Sequence, residues 1–233
     1  MKKSSLVLAS VGAVLLMAGI YLAFFVAPDA VVRIDDRELV RYSQKIFYFH
    51  VPVAETALVF LLLGGFFGAM FLAKRKRSYE QMSYAAVEIG FIFVILVMLT
   101  GILWTRADWG VWWEWEPRLT TFLVLTLMYA GYFVLRSSVQ EESAKARFGA
   151  IFSIIAAVNV PLTFVAGRLE SLKPVHPTVF TLQGASMEGP MLAAFLVSMF
   201  GMLFFAFSLF IMRLDLLRAR EDIEYLKEEL EVG

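Results

Sequence analysis

The sequence predicts an all-α membrane protein: six transmembrane helices, both termini cytoplasmic, and a C-terminal cytoplasmic amphipathic helix. Three observations predict it. Hydrophobic residues make up 60% of the 233 residues, against about 45–50% in an ordinary soluble domain, and mean hydropathy is +0.72. Six stretches are each apolar over the roughly 20 residues that a helix needs to cross a hydrocarbon core of about 30 Å. Lys and Arg fall unevenly on the two sides of the resulting topology. A disordered chain, a collagen-like chain and an ordinary soluble enzyme are excluded by the same composition. The balance of 21 basic against 21 acidic residues argues against a general attraction to nucleic acid. With no cysteine, the chain has no disulfide, no thiolate metal site and no cysteine nucleophile.

In chain order the spans are Leu6–Ala27, Ile46–Ala73, Tyr84–Trp104, Leu119–Leu135, Phe148–Ala166 and Met191–Met212. Each is bounded by charge, proline or polar runs. Helices are expected because a helix satisfies its own backbone groups in lipid, and the short alternating segments of a membrane barrel are missing. The first stretch follows Lys2 and Lys3 as a signal peptide would. It is longer than a signal-peptide core and no clear small-x-small site follows it, so it is read as a span.

One side of this topology carries Lys2, Lys3, Lys74, Arg75, Lys76, Arg77, Arg136, Lys145, Arg147, Arg213, Arg218, Arg220 and Lys227. The other carries Arg33, Arg37, Arg41, Lys45, Arg106, Arg118, Arg168 and Lys173. The excess places both termini in the cytoplasm, with Lys74–Arg77 the strongest single pin. Two regions result: a six-helix transmembrane domain over residues 1–212 and a cytoplasmic helical tail over residues 213–233. In the tail, Leu216, Ala219, Ile223, Leu226 and Leu230 recur at helical spacing and form one apolar seam. The seam suits either a solvated extension of the last span or a docking helix for a partner subunit.

Chemistry gathers on the outer side. The outer loops, roughly Pro28–Lys45, Thr105–Arg118 and Gly167–Pro190, hold His176 and all but one of the tryptophans, with His50 and Trp104 at their immediate edge. The loop over residues 104–121 contains the string Trp109-Gly-Val-Trp-Trp-Glu-Trp-Glu-Pro-Arg-Leu-Thr-Thr121. An interfacial aromatic belt would explain one or two tryptophans at each helix end. It does not explain Trp109, Trp112, Trp113 and Trp115 in one loop, with Trp104 just upstream. Such a cluster of indoles suits a large flat ligand.

His50 lies at the outer start of the second span, and His176 precedes the sixth. A lone histidine is more often structural than a ligand. Here the only two in the chain share one face beside the tryptophans. Neutral imidazole ligates haem iron well, and two imidazoles from opposite sides would hold one haem with the indoles along its plane. Zinc is the competing metal, with His50, His176 and Glu116 as its three protein ligands. No HExxH-like spacing is present, however, and a tryptophan platform has no purpose there. The haem propionates call for nearby cations. Arg118, with its planar fork, directly follows the tryptophans, and Lys45 lies near the same level. Two acids fall inside spans: Glu55, expected to face the bundle interior or a haem-entry path, and Glu88, expected to reach the interface. Asn159 and Pro161 suggest a kink packed against neighbouring helices.

The tryptophan string resembles the signature of haem-handling membrane proteins, the "WWD" group. Together with Tyr48-Phe-His-Val-Pro-Val-Ala-Glu55, Val158-Asn-Val-Pro161, the length and the six spans, it resembles the haem exporter protein C (cytochrome c maturation protein C) family, from about Lys45 to the sixth span. The resemblance implies haem b, held non-covalently at the outer face of the bacterial cytoplasmic membrane and presented to a membrane-anchored haem chaperone in cytochrome c biogenesis. It implies an ABC-transporter-like complex with further membrane and ATPase subunits, the lipid bilayer as surroundings and no nucleic acid. Residue by residue, His50 and His176 match the axial ligands, Trp109, Trp112, Trp113 and Trp115 the platform, and Arg118 the basic residue that closes the motif. Glu116 stands where the family usually has Asp, and Pro117 where a small residue is usual. The charge is kept with one more methylene, so a shifted loop is expected rather than a lost site. The segment Gly167–Lys173 lacks the tryptophans often found before the second histidine. Two rival readings are haem attachment of the cytochrome c synthetase type and a permease subunit. The synthetase relatives are larger and carry more histidines, and a permease needs a polar path near the midplane where these spans are largely apolar. A delivery subunit is therefore expected rather than a conventional enzyme.

Overall fold

The computed structural model describes residues 3–34, 37–166, 180–181, 184–185, 187 and 189–232. His176, Arg168 and Lys173 lie outside the described residues. In chain order the elements are α1 (Lys3–Tyr21), a π-helical turn (Leu22–Val26), a hairpin of β1 (Ala30–Ile34) and β2 (Arg37–Arg41), and a 3₁₀ turn (Tyr42–Ile46). They continue with α2 (Phe47–Lys74), α3 (Arg77–Trp109), α4 (Pro117–Ser138), α5 (Glu142–Ala166), the short strands β3 (Phe180–Thr181) and β4 (Gly184–Ala185), and α6 (Gly189–Val232). Six helices among the described residues are long and apolar enough to cross a membrane.

Small residues set the packing. A Cβ on Gly12 of α1 would lie 2.7 Å from the backbone N of Phe205, so only glycine allows α1 and α6 to approach this closely. Gly12 meets Phe205 and Gly19 meets Ser198, which makes the two helices antiparallel. By the same logic α2 runs antiparallel to α3, with Gly64 against Val87 and Gly90 against Leu61, and to α5, with Gly65 against Ala157 and Gly68 against Ser153. Arg77 after the α2–α3 turn pairs with Glu221 of α6, so the start of α1 and the end of α6 share one end of the bundle with that turn, and the tryptophan string caps the other end. Val53, Phe60, Leu61, Val87, Val94, Leu125, Tyr129 and Tyr132 form the buried centre. Val14, Leu62, Leu99, Leu127, Val134 and Val158 point outward, as the apolar flank of a bundle surrounded by lipid must.

Several helices run beyond the apolar stretches that announce them. The span read as Tyr84–Trp104 is the middle of a 33-residue helix, and α5 starts at Glu142 rather than near Phe148. Charged residues form the added turns, because those turns leave the hydrocarbon layer while their backbone stays helical. The last span and the tail are one continuous helix of 44 residues, about 66 Å at 1.5 Å per residue, with no break at Arg213. Leu216, Ile223, Leu226 and Leu230 of its seam are exposed. The loop between the first two spans, with no element expected, contains the β1–β2 hairpin, paired from Ala30↔Arg41 to Ile34↔Arg37.

Ion pairs close the end that carries the termini. Glu80 is buried and accepts from Arg136 at 2.7 Å and Arg77 at 3.0 Å. Glu221 on the α6 extension takes Arg77 and Gln81, both at 2.6 Å. Glu88 does not simply reach the interface: its carboxylate receives two nitrogens of Arg213. Asn159 is a tie between helices, its Nδ2 donating to the Thr121 carbonyl of α4 at 3.2 Å.

Candidate functional site

At the opposite end, the first half of α2, the second half of α3, the start of α4, the end of α5 and the start of α6 enclose a cavity of about 340 Å³. This lies within the range of about 300–1,000 Å³ usual for small-molecule sites. His50, Trp104, Trp109, Trp113, Arg118 and Glu55 line it, together with Phe122 of α4, Phe164 of α5 and Met191 of α6.

Local structure explains how the tryptophans are presented. The helix α3 continues five residues past Trp104, so Trp109 is its last helical residue rather than part of a loop. Gly110 then takes φ 77° and ends the helix in the left-handed conformation that glycine adopts without penalty. A Cβ there would meet nothing within 4 Å, so the requirement is conformational and not one of space. Pro117 starts α4 with its φ already set for a helix, and Glu116 caps it by accepting from Leu119 N–H at 2.9 Å. The irregular part of the loop is thus only residues 110–116.

His50 is 7% exposed. Its Nδ1 lies 2.7 Å from the Thr100 hydroxyl, and its ring meets the Trp104 indole edge-on at 5.5 Å. The imidazole rests over Gly101, where a Cβ would come within 3.2 Å of Cε1. The cradle is thus one face of α3, residues 100, 101 and 104. Its Nε2 has no hydrogen bond among the described residues. The Trp113 Nε1 is also buried without a partner among the described residues, which costs about 1–3 kcal/mol for an unpaired donor.

The expected site residues separate into two groups. His50, Trp109, Trp113 and Arg118 come together around the cavity, and Glu55, from the next turn of α2, joins them. The other four described ones do not line it. Trp112 is 59% exposed and lies beneath the Arg106 guanidinium at 5.4 Å. Trp115 is 73% exposed and touches Trp113 edge-on at 5.7 Å. Glu116 is buried as the α4 cap, and burial raises its carboxyl above the ordinary range, against the pull of the Leu119 N–H and of Arg118. Lys45 is buried too, paired with Asp29 at 2.9 Å and donating to the Ala27 carbonyl at 2.8 Å, so it fastens the loop after α1 to α2. His176 lies outside the described residues. Among the described residues no three His, Asp or Glu side chains gather into a metal-binding cluster.

Sequence reasoning missed Thr100, Gly101, Asp108 and the α5 and α6 contributors. Thr100 and Gly101 sit on the α3 face of Trp104, so the i, i+3, i+4 rule applied backwards from Trp104 would have found Thr100. Asp108 accepts from Arg41 at 3.2 Å and Ser43 at 2.9 Å, which anchors the base of the hairpin beside the cavity.

A multi-pass helical membrane protein with one tryptophan- and histidine-lined pocket at one end of its bundle is the class that fold and site define. Its sequence matches the family Heme exporter protein C over residues 1–227, and the chain belongs to that family. It is 33% identical over 180 residues to the Heme exporter protein C of Bradyrhizobium diazoefficiens, covering 76% of this chain and 68% of that relative. It is 31% identical over 119 residues to the protein of the same name from Rhodobacter capsulatus, covering 51% of this chain and about half (49%) of that relative. It is 29% identical over 178 residues to that of Escherichia coli K12, covering 74% and 69%.

Proposed function

We propose that this chain binds haem b non-covalently at the tryptophan-bearing end of the bundle and delivers it to a membrane-anchored haem chaperone in cytochrome c biogenesis, within an ABC-type complex of membrane and ATPase subunits. That end faces the periplasm or outer side, and both termini face the cytoplasm. Haem is cargo here. It supplies an iron that takes two axial nitrogens and a ring edge bearing two carboxylates.

The observation that carries this reading is the His50 imidazole, held on three sides with no partner for Nε2 among the described residues, in a cavity walled by Trp104, Trp109 and Trp113. The donor set fits the cargo: a neutral nitrogen ligand, indole faces for a flat ring, and the Arg118 guanidinium for a carboxylate. His50 supplies one axial nitrogen and His176 the other. With no cysteine in the chain, the haem is held without thioether bonds and is free to leave. Trp112 and Trp115, exposed beside the cavity, form the outer part of the platform. Glu116 and Lys45 support the site from behind, as a helix cap and a loop anchor.

The test is haem content after detergent purification. The wild-type chain is expected to retain one low-spin haem per chain, and the His50→Ala, His176→Ala double variant to lose it while still inserting. Full retention in the double variant contradicts the assignment.

A further inference from the structure

The direction of the hydrogen bond between His50 and Thr100 depends on the imidazole tautomer, and α3 bears on which one forms. The Thr100 hydroxyl lies 2.8 Å from the Leu96 carbonyl and 3.2 Å from that of Val97. This is the usual back-bond of a helical threonine to the carbonyls three and four residues earlier. A carbonyl can only accept, so these contacts take the hydroxyl proton unless the His50 Nδ1 takes it instead. A hydroxyl has one proton and two lone pairs. With the proton given to Leu96, the oxygen 2.7 Å from His50 Nδ1 can only accept.

We infer that Thr100 is a positioning residue: it holds His50 in the Nδ1–H tautomer, so that the bare Nε2 lone pair is presented to the cavity as the ligating nitrogen. Two further contacts hold the ring, and its second nitrogen is left open. Gly101 leaves the space in which Cε1 sits, the Trp104 edge limits its rotation, and Nε2 has no competing partner among the described residues. Thr100 does not line the cavity and acts only through His50. A ligating histidine commonly donates its second N–H to an oxygen that fixes tautomer and orientation, and loss of that partner typically weakens metal binding by about 10- to 100-fold. The inference rests on the reading of His50 as an axial ligand.

The test begins without haem. The full-length His176→Gln chain, labelled with ¹⁵N-imidazole histidine and kept in detergent at a pH where the ring is neutral, reports His50 alone. Nδ1 is expected at the shift of a protonated ring nitrogen and Nε2 at that of a bare one. The reverse pattern overturns the inference whatever haem does. Thr100→Val, which keeps the shape and removes the hydroxyl, is expected to shift the tautomer balance toward Nε2–H. In a chain with both histidines, the same change is expected to weaken affinity for added haemin by about 10- to 100-fold and to shift the iron–imidazole vibration. Thr100→Ser is expected to restore all three, which a purely steric role would not explain. Undiminished affinity in Thr100→Val, beside lost affinity in His50→Ala, overturns the positioning role alone. Undiminished affinity in His50→Ala as well overturns the ligand reading, and this inference with it.

Discussion

The two ends of the bundle differ in what their ion pairs leave over. At the end with the termini, charge meets charge: Glu80 takes Arg136 and Arg77, Glu221 takes Arg77 and Gln81, and Glu88 takes Arg213. Arg136 is further covered by the Tyr84 ring at 4.5 Å. At the tryptophan end Lys45 and Asp108 are paired as well, but two polar groups at the cavity are not fully satisfied. Among the described residues, His50 has one nitrogen fixed and no partner for the other, and Trp113 buries a donor without a partner. A network satisfied within the protein locks helices together and has nothing left to offer a ligand. A group left half-satisfied in a cavity costs stability and is what a ligand can use, and conflicts of that kind concentrate at functional sites.

Removing a charge from the paired end should do the greatest damage to the fold and little to the site. The side chains of Glu80 and Arg136 are only 5% and 14% exposed, and losing one partner of such a pair costs about 3–5 kcal/mol. Glu80→Ala is therefore expected to lower thermal stability in detergent sharply, with haem affinity per folded molecule unchanged. A parallel loss of affinity would mean that the two ends are not independent.

A smaller effect sharpens the comparison inside the tryptophan string itself. Trp113→Ala removes a cavity wall and is expected to weaken haem binding by at least about tenfold, or about 1.4 kcal/mol. Trp115→Ala removes a ring that is 73% exposed at the outer edge of the platform and is expected to change affinity by less than about threefold, because a bound haem would take little of that ring out of water. Equal losses in both variants, measured by haemin titration, would assign the platform to the exposed face of the loop instead of the cavity.

Much of this was legible in the sequence. Each of the six helices carries an apolar core of membrane-crossing length. Their ends were not legible, because Arg77–Ser83, Glu142–Arg147 and the tail after Arg213 are charged and still helical. His50, Trp109, Trp113 and Arg118 stood out by residue type and lie on one cavity. Trp112 and Trp115 are the same type in the same string, yet they face outward. The residues after Gly110 are not helical, so no periodicity tells which indole turns inward. Lys45 and Glu116 were read as ligand contacts. Their partners, Asp29 with the Ala27 carbonyl and the Leu119 N–H, appear only once the chain is folded. Thr100 and Gly101 were invisible because a threonine and a glycine in an apolar span are ordinary. Their role exists only because α2 places His50 over them.

The most direct measurement is the visible spectrum of the His50→Gly variant with added haemin, recorded with and without free imidazole. If His50 supplies an axial nitrogen, the variant should lose the low-spin spectrum and regain it when imidazole enters the space left by the side chain. An unaltered low-spin spectrum without imidazole would contradict the account.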